Sequence, residues 1–377
     1  MELKHRHPGT AVTVLMAGLL GLAALGLACG GGGAKKEERP TLTVNSTADS
    51  DERDGELTLR EALLVATGKL SPEDLSEDER GQVRGSPGAD SGDSVLFDES
   101  VFPQGDPATV MLDSSLPIMR TGKDVVDGKD GVIVDGKQRT LVCFTLWSDA
   151  NELRNLRAHN CQTAVLVREG VGNVIGRPGD GNLLSGNQVG IEVRGEGTII
   201  QDNILGLDAR GLERMANEFE GIWVRNEARD TIIGGSGPGE GNLISSSGIF
   251  GISVEGALDT VIQGNVIGLD STGETALGNK YGITVQGGAG DTLIGGTEDG
   301  SGNVISGNAT GVLVRDPGTT GTNIEGNNIG TDVAGEVVVA NSVDVWVLNA
   351  GEHNVIGDNT SLEPLKVSDA SDETEQP

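Results

Sequence analysis

The chain has 377 residues, with 57 acidic against 27 basic side chains and a formal net charge of −30. That charge argues against DNA, RNA or an anionic membrane surface as the main partner, because the counterion-release contribution would have the wrong sign. Its 60 glycines argue against a helical bundle, where each costs roughly 1 kcal/mol relative to Ala, and their lack of a period of three excludes collagen.

Lys4 and Arg6 precede an uncharged apolar run over residues 11–28, the pattern of a secretory signal. The run ends in Gly26-Leu27-Ala28-Cys29, which resembles a bacterial lipoprotein signal, where the Cys marks the cleavage point and carries the lipid. The expectation is a signal peptide over residues 1–28, lipidation at Cys29, a flexible tether over 29–40 and a place in the bacterial cell envelope. An ordinary cleaved signal and an uncleaved anchor are the alternatives. Removing residues 1–28 leaves 25 basic and 56 acidic side chains, a net −31.

Residues 41–130 read as an N-terminal cap and lead-in turns. Within them, residues 59–67 form an amphipathic helix able to cover the open edge of a stacked sheet. Residues 70–92, with Pro72 and five acids between 73 and 79, read as a solvated insertion.

Residues 131–360 are a repeat. Gly-apolar-x-Val recurs as Gly190-Ile191-Glu192-Val193, Gly221-Ile222-Trp223-Val224, Gly251-Ile252-Ser253-Val254, Gly282-Ile283-Thr284-Val285 and Gly311-Val312-Leu313-Val314, spaced by 31, 30, 31 and 29 residues. Between these units lie two further short β-branched segments, such as Thr260-Val261-Ile262-Gln263 and Asn265-Val266-Ile267-Gly268. Three short strands per unit cannot bury a core alone. If each unit is one turn of a coil, every strand pairs with its counterpart about 4.8 Å away, and inward Ile, Val and Leu fill a continuous interior. The predicted fold is an all-β parallel β-helix with three short strands per turn. A longer period of 62 residues overlays the shorter one, relating Gln201, Gln263 and Glu325. It places Asn203, Asn265 and Asn327 in one corner of every second turn. Asp208, Asp270 and Asp332 follow in loops and are the candidate Ca²⁺ ligands, although successive ones stand two turns, roughly 9–10 Å, apart. Residues 361–377 read as a disordered acidic tail.

Ile294-Gly295-Gly296 through Gly302-Asn303-Val304-Ile305-Ser306-Gly307-Asn308 resembles the bacterial right-handed parallel β-helix repeat proteins. Thr41-Leu42-Thr43-Val44-Asn45 followed by Leu57-Thr58-Leu59-Arg60-Glu61-Ala62 is similar to the CSLREA domain of secreted and surface bacterial proteins, with Leu57 where that motif has Cys. The resemblance implies a right-handed coil and export. It implies no single reaction, since the fold hosts lyases, hydrolases, epimerases and non-catalytic surface proteins.

An Asp-Pro-His triplet, a Gly-His-Gly triplet, an Asp-Asp pair and a nucleophile elbow are all missing from the sequence. His159 and His353 stand beside Asn at turn-like positions. Cys143 and Cys161 are too few for a disulfide framework; export permits a bond between them, and the apolar run around Cys143 equally suits a free core thiol. The remaining feature is a stripe. In Gly-apolar-x-Val, the x residue and the residue after Val point outward. Arg168, Arg194, Arg225 and Arg315 follow Val, and Trp223 and Trp346 occupy x. These six are the candidate glycan-binding residues. The arginines form either a groove for an acidic glycan or a solvated lattice neutralised by Glu169, Glu192, Glu196 and Glu227. The sequence thus points to a lipid-anchored, monomeric, non-catalytic scaffold for a polysaccharide or cell-surface glycan, with no cofactor unless Ca²⁺. The alternative is a polysaccharide lyase or glycoside hydrolase with an unrecognised site.

Overall fold

The computed structural model describes residues 39–89, 91–137 and 141–370. The signal segment, Cys29, nearly all of the tether and residues 371–377 lie outside the described residues.

Strand register establishes the parallel β-helix. One turn reads Tyr281–Gln286, Leu293–Gly295 and Val304–Ile305, and each strand enters a different sheet. Leu293–Gly295 belongs to a 12-stranded sheet (sheet 1), Val304–Ile305 to a 9-stranded sheet (sheet 2) and Tyr281–Gln286 to another 9-stranded sheet (sheet 3). Within the coil each strand pairs in parallel with its counterparts one turn before and after, as Ile283 does with Ile252 and Val312. Alternation then stacks like on like inside. Ile222, Ile252, Ile283 and Val312 fill one column, and Ile233, Ile262 and Ile294 another, all at 0% exposure. Each such side chain contributes about 1.5–3 kcal/mol of burial.

The corners carry amides. Between sheets 1 and 2 the structure fills the turns between the expected Asn203, Asn265 and Asn327 with Asn242 and Asn303. The ladder therefore runs through every turn. Each Oδ1 accepts the backbone N–H and the Nδ2 of the Asn one turn earlier, at 2.9–3.0 Å from Asn203 to Asn327. A second ladder between sheets 2 and 3 includes Asn187, Asn279, Asn308 and Asn341. At the corner between sheets 3 and 1, Asp124 and Asn151 give way to Thr198, Thr231, Thr260, Thr292 and Thr322, whose hydroxyls are buried without a partner among the described residues.

The 62-residue period comes from hairpins at residues 207–214, 269–276 and 331–338, each closed by an antiparallel bridge. Successive hairpins touch across the intervening turn: Ser271 N–H donates to the Gly211 carbonyl (2.8 Å) and Val333 N–H to that of Gly273 (3.2 Å).

Helix α1 (Leu59–Ala66) starts at a capping box in which Thr58 and Glu61 satisfy each other's backbone N–H. It buries Leu59, Ala62, Leu63, Val65 and Ala66 over the first turn, as expected of a cap. The segment 70–92 is more ordered than its composition suggested. It holds α2 (Glu77–Arg80) and the strand Val83–Arg84, which pairs antiparallel with Thr41–Val44. Arg53, between the fully buried Glu61 (2.7 Å) and Glu79 (3.6 Å), supplies the charge that lets this acidic segment pack. At the far end, Val367–Ala370 adds a strand to sheet 3, so the expected disordered tail is ordered at least that far. Cys143 and Cys161 are joined by a disulfide with 5.9 Å between Cα atoms. Among the described residues no helix is long and apolar enough to cross a membrane.

Candidate functional site

The six candidate glycan-binding residues all fall on the outward face of sheet 3, which carries three rows across the turns. One row runs Glu220, Phe250, Tyr281, Thr310 and Val343; the next runs Leu166, Glu192, Trp223, Ser253, Thr284, Leu313 and Trp346. The third holds Arg168, Arg194, Arg225, Glu255, Gln286, Arg315 and Leu348.

The arginines are occupied. Arg194 and Arg225 both bond Glu192 Oε1, at 2.6 and 3.1 Å. Arg225 also stacks 4.0 Å over Trp223, whose Nε1 donates to Glu255 at 2.9 Å. Arg315 Nε donates to Gln286 Oε1 at 2.7 Å, and Gln286 Nε2 donates to Ser253 Oγ at 3.2 Å. Arg168 lies 4.3 Å over Trp147, which Arg120 also covers at 4.1 Å. Of the four expected counter-anions only Glu192 takes this role; among the described residues Glu169, Glu196 and Glu227 form no ion pair with the stripe. Arg194 and Arg225 are therefore ion-paired through one carboxylate, whereas Arg168 and Arg315 meet no carboxylate within ion-pair distance among the described residues and are held by a ring and an amide.

The middle row is outward but not uniformly wet. Phe250 and Tyr281 on one side and Glu255 and Gln286 on the other close over Ser253 (1% exposed) and Thr284 (0%). Trp346, at 4%, is packed with Leu313 and Leu348 in an outer apolar cluster that Tyr281 and Val343 join. It lies in the row as expected, but as packing. Trp223 remains partly exposed, with a stacked Phe250–Tyr281 pair beside it (5.4 Å between centroids, 25° between planes).

Glu220, Phe250 and Tyr281 were not foreseen. Strict alternation from Ile222, Ile252 and Ile283 would turn them inward. The pairing register skips the intervening glycine on each strand. A Cβ on Gly251 would sit 2.6 Å from the Gly282 carbonyl oxygen and 2.9 Å from Asn279 Nδ2, so this position admits nothing larger. The fixed Gly ahead of each apolar residue was the available signal, because Gly inside a strand marks an irregularity or a close backbone approach. Glu220 makes no hydrogen bond or ion pair among the described residues. Burial, with Glu192 and Glu255 nearby and only Arg225 opposing, pushes its carboxyl up to about 7.

The loop aspartates serve their own hairpins. Asp208 Oδ1 accepts from Leu212 and Glu213 N–H, Asp270 Oδ1 from Thr272 and Thr275, and Asp332 Oδ1 from Glu336 and Val337. Burial raises the Asp208 carboxyl, but these N–H groups and Arg210 outweigh it and hold it at about 2. Among the described residues no three His, Cys, Asp or Glu side chains are arranged to hold a metal ion. Burial lowers the His159 pKa, and its Nδ1 has no partner among the described residues.

No protein-family model matches the chain, and no curated protein matches it in sequence. Among solved structures it is similar to the crystal structure of pectate lyase Pel9A, at 12% identity and a TM-score of 0.42, over 88% of this chain and 78% of that one. It is also similar to the A-module of the Azotobacter vinelandii mannuronan C-5 epimerase AlgE4, at 12% identity and a TM-score of 0.31, over 75% of this chain and 83% of that one.

Proposed function

We propose that this is an exported, monomeric β-helix, tethered to the cell envelope through a lipid on Cys29, that holds a glycan against the outward face of sheet 3 without cleaving it. One observation carries the reading. Of only nine aromatic residues in the chain, Trp223, Phe250 and Tyr281 lie partly exposed on three successive turns of one face. Sugar rings offer C–H faces to aromatic planes and hydroxyls to fixed polar groups, and Glu192, Glu255, Gln286 and Arg225 are held in place beside those planes. The turn spacing of about 4.8 Å suits successive sugars of an extended chain. Around Trp223 the Arg194 and Arg225 charges meet Glu192, with Glu220 and Glu255 beside them, so this stretch of the face favours a neutral glycan over an acidic one. The buried disulfide fits an oxidising, exported location.

A glycan array probed with the exported protein tests the proposal. Capture of at least one neutral polysaccharide is expected, with affinity reduced at least tenfold in Trp223→Ala and an unchanged melting temperature. Absence of binding to every glycan would overturn it.

Glu220 favours a second reading. A carboxyl protonated near neutral pH beside two committed carboxylates is how glycoside hydrolases separate acid from base. On that reading Glu220→Gln abolishes release of reducing ends from the captured glycan while leaving binding intact. No release by the wild type would exclude it.

A further inference from the structure

A second concentration of positive charge lies on another face. On the outward side of sheet 1, over its first turns, a groove of about 720 Å³ is lined by Arg39, Arg84, Lys129 and Arg154 against a single carboxylate, Asp127. Its floor is built by register. Thr41 pairs with Arg84 on one side and Ser94 on the other, Thr43 pairs with Leu96, and Asp127 pairs with Arg154. The antiparallel strand Val83–Arg84 forms the outer wall, so the segment whose composition suggested a solvated insertion supplies one of the cations.

The four cations differ in what they have left to offer. Arg154 is held by Asp127 and Glu152, both at 3.0 Å, with Asp180 at 3.7 Å. Lys129 reaches Glu99 at 3.4 Å, across the surface. Arg39 spends one Nη1 donor on the Lys123 carbonyl at 2.9 Å and meets no carboxylate within ion-pair distance among the described residues. Arg84 makes no hydrogen bond or ion pair among the described residues. Two guanidiniums with uncommitted donors therefore face a groove whose floor carries the hydroxyls of Thr41, Thr43 and Ser94. In a chain of charge −30 such a reversal of sign concentrates anions locally. Arginine forks match planar or tetrahedral oxyanions in pairs.

We propose that this groove binds an oxyanion-bearing oligosaccharide, a uronate or sulfated one, with Arg84 and Arg39 on the acidic group and the Thr41, Thr43 and Ser94 hydroxyls on the sugar hydroxyls. The volume lies within the range of about 300–1,000 Å³ usual for sites of small ligands. The site is independent of the aromatic platform on sheet 3 and stands whether or not that face binds a neutral glycan.

Calorimetry on the full-length mature protein tests it, with an oligogalacturonate and a sulfated disaccharide as probes at low and at physiological salt. Binding of at least one of the two is expected, weaker at physiological salt because exposed charge contacts are screened. Arg84→Glu is expected to reduce affinity at least tenfold, and Arg39→Gln several-fold. Arg84 is exposed on an edge strand, so the melting temperature of Arg84→Glu should match the wild type. Trp223→Ala should leave this binding unchanged; a loss there would place the acidic glycan on sheet 3 and overturn the proposal. No binding of either probe at low salt, or equal affinity in Arg84→Glu, would overturn it as well. Inorganic sulfate or phosphate that binds as tightly as the saccharides would overturn the saccharide assignment.

Discussion

Asn265 donates through Nδ2 to Oδ1 of Asn303 at 2.9 Å, and its own Oδ1 receives the backbone N–H and the Nδ2 of Asn242. Its Nδ2 also reaches the Ile233 and Gln263 carbonyls, so one buried amide serves three turns. Asn265→Ala takes the acceptor from the Asn242 N–H and Nδ2 and a donor from Asn303 Oδ1 and the Ile233 carbonyl, and is expected to cost about 3–5 kcal/mol. Thr260, in the corner between sheets 3 and 1, buries a hydroxyl with no partner among the described residues. Thr260→Val keeps the shape and removes the desolvated oxygen, so it should be neutral or stabilising. Denaturant titration of the two variants checks the contrast, which a large loss in Thr260→Val would remove.

Ile252 and Ser253 are neighbours on one strand and face opposite ways, yet both are buried, at 0% and 1% exposure. Ile252→Asp places an unpaired charge in the coil interior and should cost several kcal/mol. Ser253→Asp would be nearly free on an open face. Under Phe250, Tyr281 and Gln286 it should cost about 1–3 kcal/mol. Melting curves decide this, and a wild-type midpoint for Ser253→Asp would mean the outer face is open there.

Burial pushes several carboxyls upward, Glu220 to about 7 and Asp124 to about 6 among them. In the unfolded chain both ionise nearer pH 4, so between pH 4 and 7 the folded state binds more protons. Stability contributed by these groups is then fully present near pH 4 and declines as pH rises through the two folded values. Glu220→Gln and Asp124→Asn each remove that slope and should gain on the order of 1–2 kcal/mol at pH 8. Asp124→Asn also places an amide next to Asn151, whose Oδ1 already accepts the residue's backbone N–H. Denaturation midpoints from pH 4 to pH 8 give the readout; parallel curves for wild type and variants would show that neither carboxyl is shifted.

Asn187 Oδ1 accepts the backbone N–H of Cys161, so Cys161 occupies an amide-ladder position and closes that end with a covalent bond to Cys143. Reduction of this disulfide, across an 18-residue separation, should cost about 2–4 kcal/mol. The double variant Cys143→Ala, Cys161→Asn should recover part of that loss by extending the ladder. Thermal unfolding with and without reductant tests both, and an unshifted midpoint on full reduction would show that the bond is not formed.

Cys29→Ala should abolish incorporation of labelled fatty acid and leave the protein soluble in the exported fraction or held as unprocessed precursor. The apolar run that ends at Ala28-Cys29 motivates this. Undiminished labelling would reject the lipid anchor.

The coil was legible because its interior obeys local rules. Ile191, Ile222, Ile252 and Ile283 recur at nearly constant spacing, and alternation fixes which side chains face in. What was hidden depends on contacts between turns of unequal length. The gap from Asn203 to Asn242 is 39 residues and that from Asn242 to Asn265 is 23, so the regular 62-residue period assigned only every second amide to that corner. Glu220, Phe250 and Tyr281 escaped because one irregular glycine position reverses their direction. The choice between free and neutralised arginines rested on which anion reaches across a turn, and Glu192 does so for two of them. The groove at Arg84 needed a strand pairing that an acidic, proline-containing segment did not advertise.

The hairpins that touch across an intervening turn make two turns, not one, the smallest module that can be copied or lost. Excising 62 residues from Gln201 to Gln263 brings equivalent hairpins, corners and ladder amides back into register. Excising about 31 sets a hairpin against a turn already occupied by another and reverses every long–short alternation beyond the cut. Lengthening or shortening of this rod by duplication is therefore restricted to even numbers of turns, and its natural size variants should differ by multiples of two.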